Sequence, residues 1–247
     1  MKKNIIALLL AVFILSGCKI LGQSPNNEIT DTIRWFNATY AILTKINNRD
    51  INIIGGDKPS LINRAVELST LEEYWGITNR EEAEEMIVWL LEGGHNEQFI
   101  DDYFYYELYK YTKEDLLEDL QRQSRGVLHY FLNLHETYER FGEKAIIGWD
   151  LSRANSLLGW YYIAGFYDYE ESLDGMLMVS KIIQETFDSF DEFVDSYMRG
   201  YLWWSEDDPS GISSDYQARL KIYEDLINME DSPFNLDFDM NFEVTWR

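Results

Sequence analysis

The sequence predicts an all-α protein, a single domain of seven or eight helices with a minor two-stranded β element near the C-terminus. Three observations carry that expectation. Only four prolines occur in 247 residues, so little interrupts long helices. Apolar residues recur at spacings of three and four between Ser, Thr, Asp and Gly, the residue types that start and stop helices. Hydrophobic residues make up 46% and aromatics 15% of the chain, enough for one medium-sized core and too many for wholesale disorder.

Taken in order, Asp31 can cap a first helix that carries Trp35, Ala38, Ile42, Leu43 and Ile46 on one face and ends at Asn47-Asn48. Ile51 to Gly56 is a short β-like run closed by two glycines. Pro59 and Ser60 open a helix with Leu61, Ala65, Leu68 and Leu71 at helical spacing, broken at Trp75-Gly76. Thr78 with Glu81 matches a capping box for the next helix, which runs through Met86, Trp89 and Leu90 to a left-handed stop at Gly93-Gly94. The segment from Phe99 to Tyr111 holds Tyr103, Tyr105, Tyr106, Tyr109 and Tyr111. At this density tyrosines can stack on sugars or peptides, but half-burial between helices with the hydroxyls reaching water is the expected fate.

Thr112 and Asp115 cap a long helix that reaches Phe141 and stops at Gly142. His129 and His135 lie on it six residues apart, on different faces, so they do not form a two-histidine metal pair. Ala145 to Gly165 is the central helix, and Asp168 with Glu171 is the capping box of its successor. Asp191 opens another helix, an acidic Pro-Gly loop spans Glu206 to Ser214, and a last helix carries Leu220, Ile222 and Leu226. From Leu236 to Trp246 apolar and polar residues alternate, the period of an amphipathic strand, which can pair with Ile51–Ile54. Asp237, Asp239 and Asn241 do not make a calcium loop, because Phe242 occupies the position that must be glycine.

The first 28 residues read as an address. Met1-Lys2-Lys3 is a basic start, and Ile5 to Leu15 is an apolar run too short to span a bilayer comfortably. It ends in Leu15-Ser16-Gly17-Cys18, which resembles the processing box of bacterial lipoproteins. That resemblance implies a signal peptide over 1–17, a diacylated Cys18, a lipidated tether over 18–28 and one helical domain over 29–247. The protein is then expected in the bacterial cell envelope, bound to a membrane through the lipid. Cys18 is the only cysteine, so neither an internal disulfide nor a cysteine metal cluster can form. No cofactor is expected.

The formal charge is −23, from 44 acidic and 21 basic residues. Such a surface repels phosphate backbones and excludes nucleic-acid binding and polybasic membrane contact. It is either a solubilising coat or a surface that steers a basic protein partner.

Charged residues, glycines and tryptophans concentrate between Trp149 and Trp204. Trp75-Gly76-Ile77, Leu90-Leu91-x-x-Gly94-His95-x-x-x-Phe99, Trp149-Asp150-x-x-Arg153, the Gly165 turn and Ser196-Tyr197-x-x-Gly200-x-x-Trp203 together resemble the bacterial family known as domain of unknown function 1266, over about residues 70–205. The resemblance implies a mostly helical domain and supplies no activity. The residues themselves define a candidate polar site. Asp150 and Arg153 stand one turn apart, and Arg153 is four residues from Trp149, within cation–π reach. As a reaction site, Asp150 would be base or anchor, Arg153 an anion clamp and His95 an acid. As a scaffold, Asp150 and Arg153 would pin helices together, with glycines allowing close approach. No nucleophile, second carboxylate or phosphate loop stands at a telling spacing, so the scaffold is the expected role. The expected function is therefore a non-catalytic binding module. A hydrolase at Asp150, Arg153 and His95 and a carbohydrate binder using exposed aromatics are the alternatives.

Overall fold

The computed structural model describes residues 29–211 and 214–247. Cys18 and the stretches expected to be a signal peptide and a tether lie outside the described residues. Among those described there are eleven α-helices and no β-strand, so the all-α class holds and the two-stranded β element does not form. No described helix is long and apolar enough to cross a membrane.

The helices are α1 (Asp31–Ala38), α2 (Ala41–Ile46), α3 (Leu61–Trp75), α4 (Arg80–Leu91), α5 (Gly94–Tyr105), α6 (Lys113–Leu120), α7 (Arg125–Phe141), α8 (Ile147–Ala164), α9 (Tyr169–Thr186), α10 (Phe190–Ser205) and α11 (Asp215–Ile227). The count exceeds seven or eight for three reasons. The first expected helix divides where Thr39 Oγ1 donates to the Phe36 carbonyl at 2.7 Å, and its cap is Thr30, one residue before Asp31. The helix expected over 112–141 divides at the polar turn 121–124, where Ser124 recaps the chain. The third addition is α5, which starts at the glycine pair expected to end α4.

The centre is α8. Its side chains are buried on all sides apart from Ile147, Arg153 and Tyr162, as a helix surrounded by other helices must be. Around it stand α3, α4, α5, α9, α10 and the turn Ile54–Gly56. Two of its glycines admit neighbours closely. A Cβ at Gly148 would fall 2.7 Å from the Phe193 carbonyl oxygen of α10, and one at Gly159 would fall 2.7 Å from the backbone of Gly55.

The capping boxes at Thr112/Asp115 and Asp168/Glu171 form as expected. At α4 the cap shifts by one residue: Asn79 accepts from the Glu82 amide at 3.1 Å, and Glu82 in turn accepts from the amide and hydroxyl of Thr78. The cap of α10 is Ser189 rather than Asp191.

The C-terminal alternation is real but is satisfied without a partner strand. Phe238 and Trp246 are buried, and the extended strap lies across α1 and α9. Trp35 Nε1 donates to the Phe238 carbonyl at 3.2 Å, the Glu243 amide donates to Thr32 Oγ1 at 2.9 Å, and Gln184 Nε2 donates to the carbonyls of Phe238 and Met240. Side chains on helices take the place of a ladder. Ile51–Ile54 is a turn whose Ile51 carbonyl accepts from Asn37 Nδ2 at 2.9 Å.

Helix α3 departs from its apolar pattern. Leu71 is buried, but Leu61 is 90% exposed, and Glu67 is buried in its stead. Arg49 makes that burial tolerable, with Nη1 at 2.8 Å from Glu67 Oε2. Burial pushes the Glu67 carboxyl above its ordinary value of 4.5, against the pull of Arg49. A carboxyl raised by folding holds its proton more tightly folded than unfolded, so its contribution to stability is lost as pH rises through the folded pKa. Glu67→Gln is expected to flatten the decline of stability between pH 4.5 and neutrality. Urea midpoints across that range that decline equally in both proteins would refute this.

Candidate functional site

The candidate residues meet at the N-terminal turn of α8. The path into the site is set by Gly93 and Gly94, with φ of 138° and 46°, conformations that suit glycine alone or best. These angles turn the chain from α4 into α5 and aim the first amides of α5 at Asp150. A Cβ at Gly94 would fall 2.9 Å from the Asp150 carboxyl, so glycine is required there for space as well.

Asp150 is fully buried. Its Oδ1 accepts from the His95 amide at 3.1 Å and lies 2.6 Å from His95 Nδ1; its Oδ2 accepts from the Asn96 amide at 2.9 Å. A carboxylate from α8 thus caps α5, satisfying orphan N–H groups at the positive end of the helix dipole. Burial pushes the Asp150 carboxyl up, while His95 and the two amides pull against it. The sequence spacing suggested a pairing of Asp150 with Arg153, but no ion pair forms between them. The carboxylate belongs to α5.

Asn96, which sequence reasoning missed, extends the joint. Its Oδ1 accepts from the Ile146 amide at 2.8 Å and its Nδ2 donates to the Glu143 carbonyl at 2.9 Å, tying the start of α5 to the approach of α8. Ser196 on α10 does the same from the other side, accepting from the Gly148 amide at 3.0 Å and donating to the Ala145 carbonyl at 3.1 Å. Gly200 lies against Trp149, and Tyr197 packs on the same indole with ring centroids 5.4 Å apart. Trp203 Nε1 donates to Asp102 Oδ2 at 2.9 Å, beside Tyr130, whose hydroxyl donates to the same oxygen. The residues at the sequence motifs are therefore largely the pins of one helix junction.

His95 sits among Trp89, Trp149 and Trp203, with ring centroids 4.8, 6.3 and 6.3 Å away. Arg153 stacks over Trp149 at 3.9 Å, as the four-residue spacing suggested, and also reaches Trp75 at 5.3 Å and Trp204 at 5.6 Å. Burial pushes the Arg153 guanidinium down to about 10, which leaves it cationic at neutral pH. A groove of about 270 Å³ runs alongside, between Trp75, Met86 and Trp89. A cavity of about 300 Å³ lies elsewhere, between Ile29, Ile53, Pro59 and Tyr169. Neither is lined by His95, Asp150 or Arg153.

The remaining histidines stand apart. His129 faces Asp208 at 3.5 Å and His135 Nε2 meets the Tyr111 carbonyl at 2.8 Å. No group of three or more His, Cys, Asp or Glu among the described residues could hold a metal ion. Of the five tyrosines in the segment Phe99 to Tyr111 only Tyr103 is buried; Tyr105, Tyr106, Tyr109 and Tyr111 are exposed, more so than the half-burial expected between helices.

The geometry defines a class: an all-α domain organised round one buried helix, whose first turn gathers a capped carboxylate, a histidine and a cluster of tryptophans. The chain belongs to the family described as protein of unknown function DUF1266, matched over residues 70–238. The match runs further than the 70–205 suggested by the motifs and takes in α11 and the start of the C-terminal strap. No curated protein and no solved structure matched the chain.

Proposed function

We propose that the protein is a lipid-anchored component of the bacterial envelope, held to its membrane through Cys18, that acts by binding a basic protein partner. The observation that carries this reading is the charge: 44 acidic against 21 basic residues gives a field that steers cationic partners and repels nucleic acid. The geometry of Asp150 supports a binding role over hydrolysis. A general base must reach its substrate, and this carboxylate is sealed from solvent with both oxygens engaged by α5.

The test is affinity capture on the immobilised full chain at low and high salt. A stoichiometric basic partner, released as salt screens the surface, is the expected result. Retention indifferent to salt and to reversal of exposed acidic residues would defeat the reading. The exposed tyrosines favour a second possibility, carbohydrate recognition, since Tyr105 is 78% exposed, Tyr106 packs against it with ring centroids 5.1 Å apart, and Tyr109 is exposed as well. Retention of the chain by insoluble polysaccharide, lost in Tyr105→Ala, is its distinguishing outcome.

A further inference from the structure

Arg153 makes no ion pair with Asp150, although the Asp150 charge favours its cationic form from a distance. The aromatic cluster that holds it carries a second cation. Arg219 of α11 lies 4.1 Å over the ring of Tyr201, and that ring is 6.0 Å from Trp149 and 6.5 Å from Trp204. Trp149 and Trp204 are the same rings on which Arg153 stacks. The ring of Tyr197 also packs on Trp149, and burial pushes its hydroxyl up while the charges of Arg219 and Arg153 pull against that rise. Two guanidinium groups therefore share one wall of aromatic rings.

Among the described residues neither comes within 4.0 Å of a carboxylate, whereas Arg34, Arg49, Arg80, Arg140, Arg199 and Arg247 all do. Arg64, Arg122 and Arg125 likewise lack such a carboxylate, but they are exposed to water, whereas Arg153 and Arg219 are partly buried. The donors are also unspent: Arg153 Nε, Arg219 Nε and Nη1, and Trp149 Nε1 are buried with no acceptor. Buried donors without partners are costly, and here all are of one kind, donors beside positive charge. Water could accept these hydrogen bonds but could not offset the two charges. The group that best suits such donors is an acceptor carrying negative charge.

We propose that Arg153 and Arg219 form a binding site for a small oxyanion, a carboxylate or a phosphate group. Guanidinium forks match either acid through paired N–H donors. Trp204 is 54% exposed and offers its surface to the body of the ligand. The site differs from the acidic surface invoked for a protein partner, and it stands or falls independently of that reading. Arg219 carried no motif in the sequence; only the packing of α11 against α10 brings it to Arg153.

The experiment titrates the purified full chain with sodium phosphate, sodium acetate and sodium benzoate at constant ionic strength maintained with sodium chloride. Tryptophan emission is followed, since Trp149 and Trp204 adjoin both cations. At least one of these anions is expected to give a saturable change and to raise the melting temperature. Arg219→Gln is expected to weaken binding at least about tenfold, the cost of a lost charge-assisted hydrogen bond. Arg219→Lys, which keeps the charge and loses the fork, is expected to fall between; it also supplies a folded variant should the glutamine protein fail to fold. Arg247→Gln, which changes an arginine paired with Asp174 and outside the aromatic cluster, should bind as wild type does. Saturation by phosphate alone or by the carboxylates alone identifies the acid. The proposal is overturned if none of the three anions saturates, or if both Arg219 variants bind as tightly as wild type.

Discussion

Asp150→Ala is expected to lower the unfolding free energy by about 3–5 kcal/mol, the range for removing one partner of a buried charged pair. The loss has two sources. The amides of His95 and Asn96 and the Nδ1 of His95 lose the acceptors they now share. Each of those groups remains in or beside the core, where an unmade hydrogen bond costs about 1–3 kcal/mol. The positive end of α5 also loses its carboxylate. Asp150→Asn should fall between the variant and wild type, because the amide keeps one acceptor but turns its NH₂ toward N–H groups. Urea denaturation checks both, read as a fall in midpoint at constant slope. A loss under about 1 kcal/mol for the alanine variant would mean that water or a shift of α5 replaces the carboxylate readily, and the junction would not be the organising joint argued above. His95→Ala removes only one of the contacts and should cost less.

This junction was partly legible in the sequence, and the limits of that reading have physical causes. The burial of α8 follows from its apolar run and small residues, and its end at Gly165 follows from local chemistry. The same holds for the capping boxes at Thr112 and Asp168, where all participants lie within four residues of one another. What could not be read is the choice among partners distant in the chain. Spacing places Asp150 one turn from Arg153, yet three donors at the start of α5 outcompete a guanidinium. Nothing local marks Gly93-Gly94 as the start of a helix instead of its end, because the cap arrives from residue 150. The alternation from Leu236 to Trp246 marks the side chains that turn inward except Val244, which is exposed. It is silent on what satisfies the backbone, and here Thr32 and Gln184 do so where a strand was expected. Glu67 reads as a solvent-facing residue until Arg49 is placed beside it. Asn96 and Arg219 had no local signal at all, since their roles exist only once α5 and α11 are docked.

Gly200→Ala should also weaken the junction, though less than loss of the Asp150 carboxylate and for steric reasons alone. A Cβ there would fall 2.4 Å from the Cβ of Trp149 and 2.9 Å from its Cγ. Neither atom is the free end of a flexible side chain; both are rooted in the backbone of α8. Helix α8 has little room to retreat, because Gly159 already touches the Gly55 backbone on another side and Gly148 touches the Phe193 carbonyl. Overpacking of this kind typically costs about 1–3 kcal/mol and occasionally more, while alanine in a helix interior returns up to about 1 kcal/mol. The 2.4 Å approach puts this position at the top of that range, so we expect a net loss of about 2 kcal/mol, together with a change in tryptophan emission as Trp149 moves beneath Arg153. Gly126→Ala is the matched control. Gly126 also lies in a helix, but a Cβ there meets nothing within 4 Å, so the same substitution should be neutral or stabilising by up to about 1 kcal/mol. Equal losses at the two positions would show that glycine is kept for reasons other than the contact between α8 and α10. Opposite signs would locate the close approach at Trp149, which the rings of His95 and Tyr197 and the guanidinium of Arg153 also require.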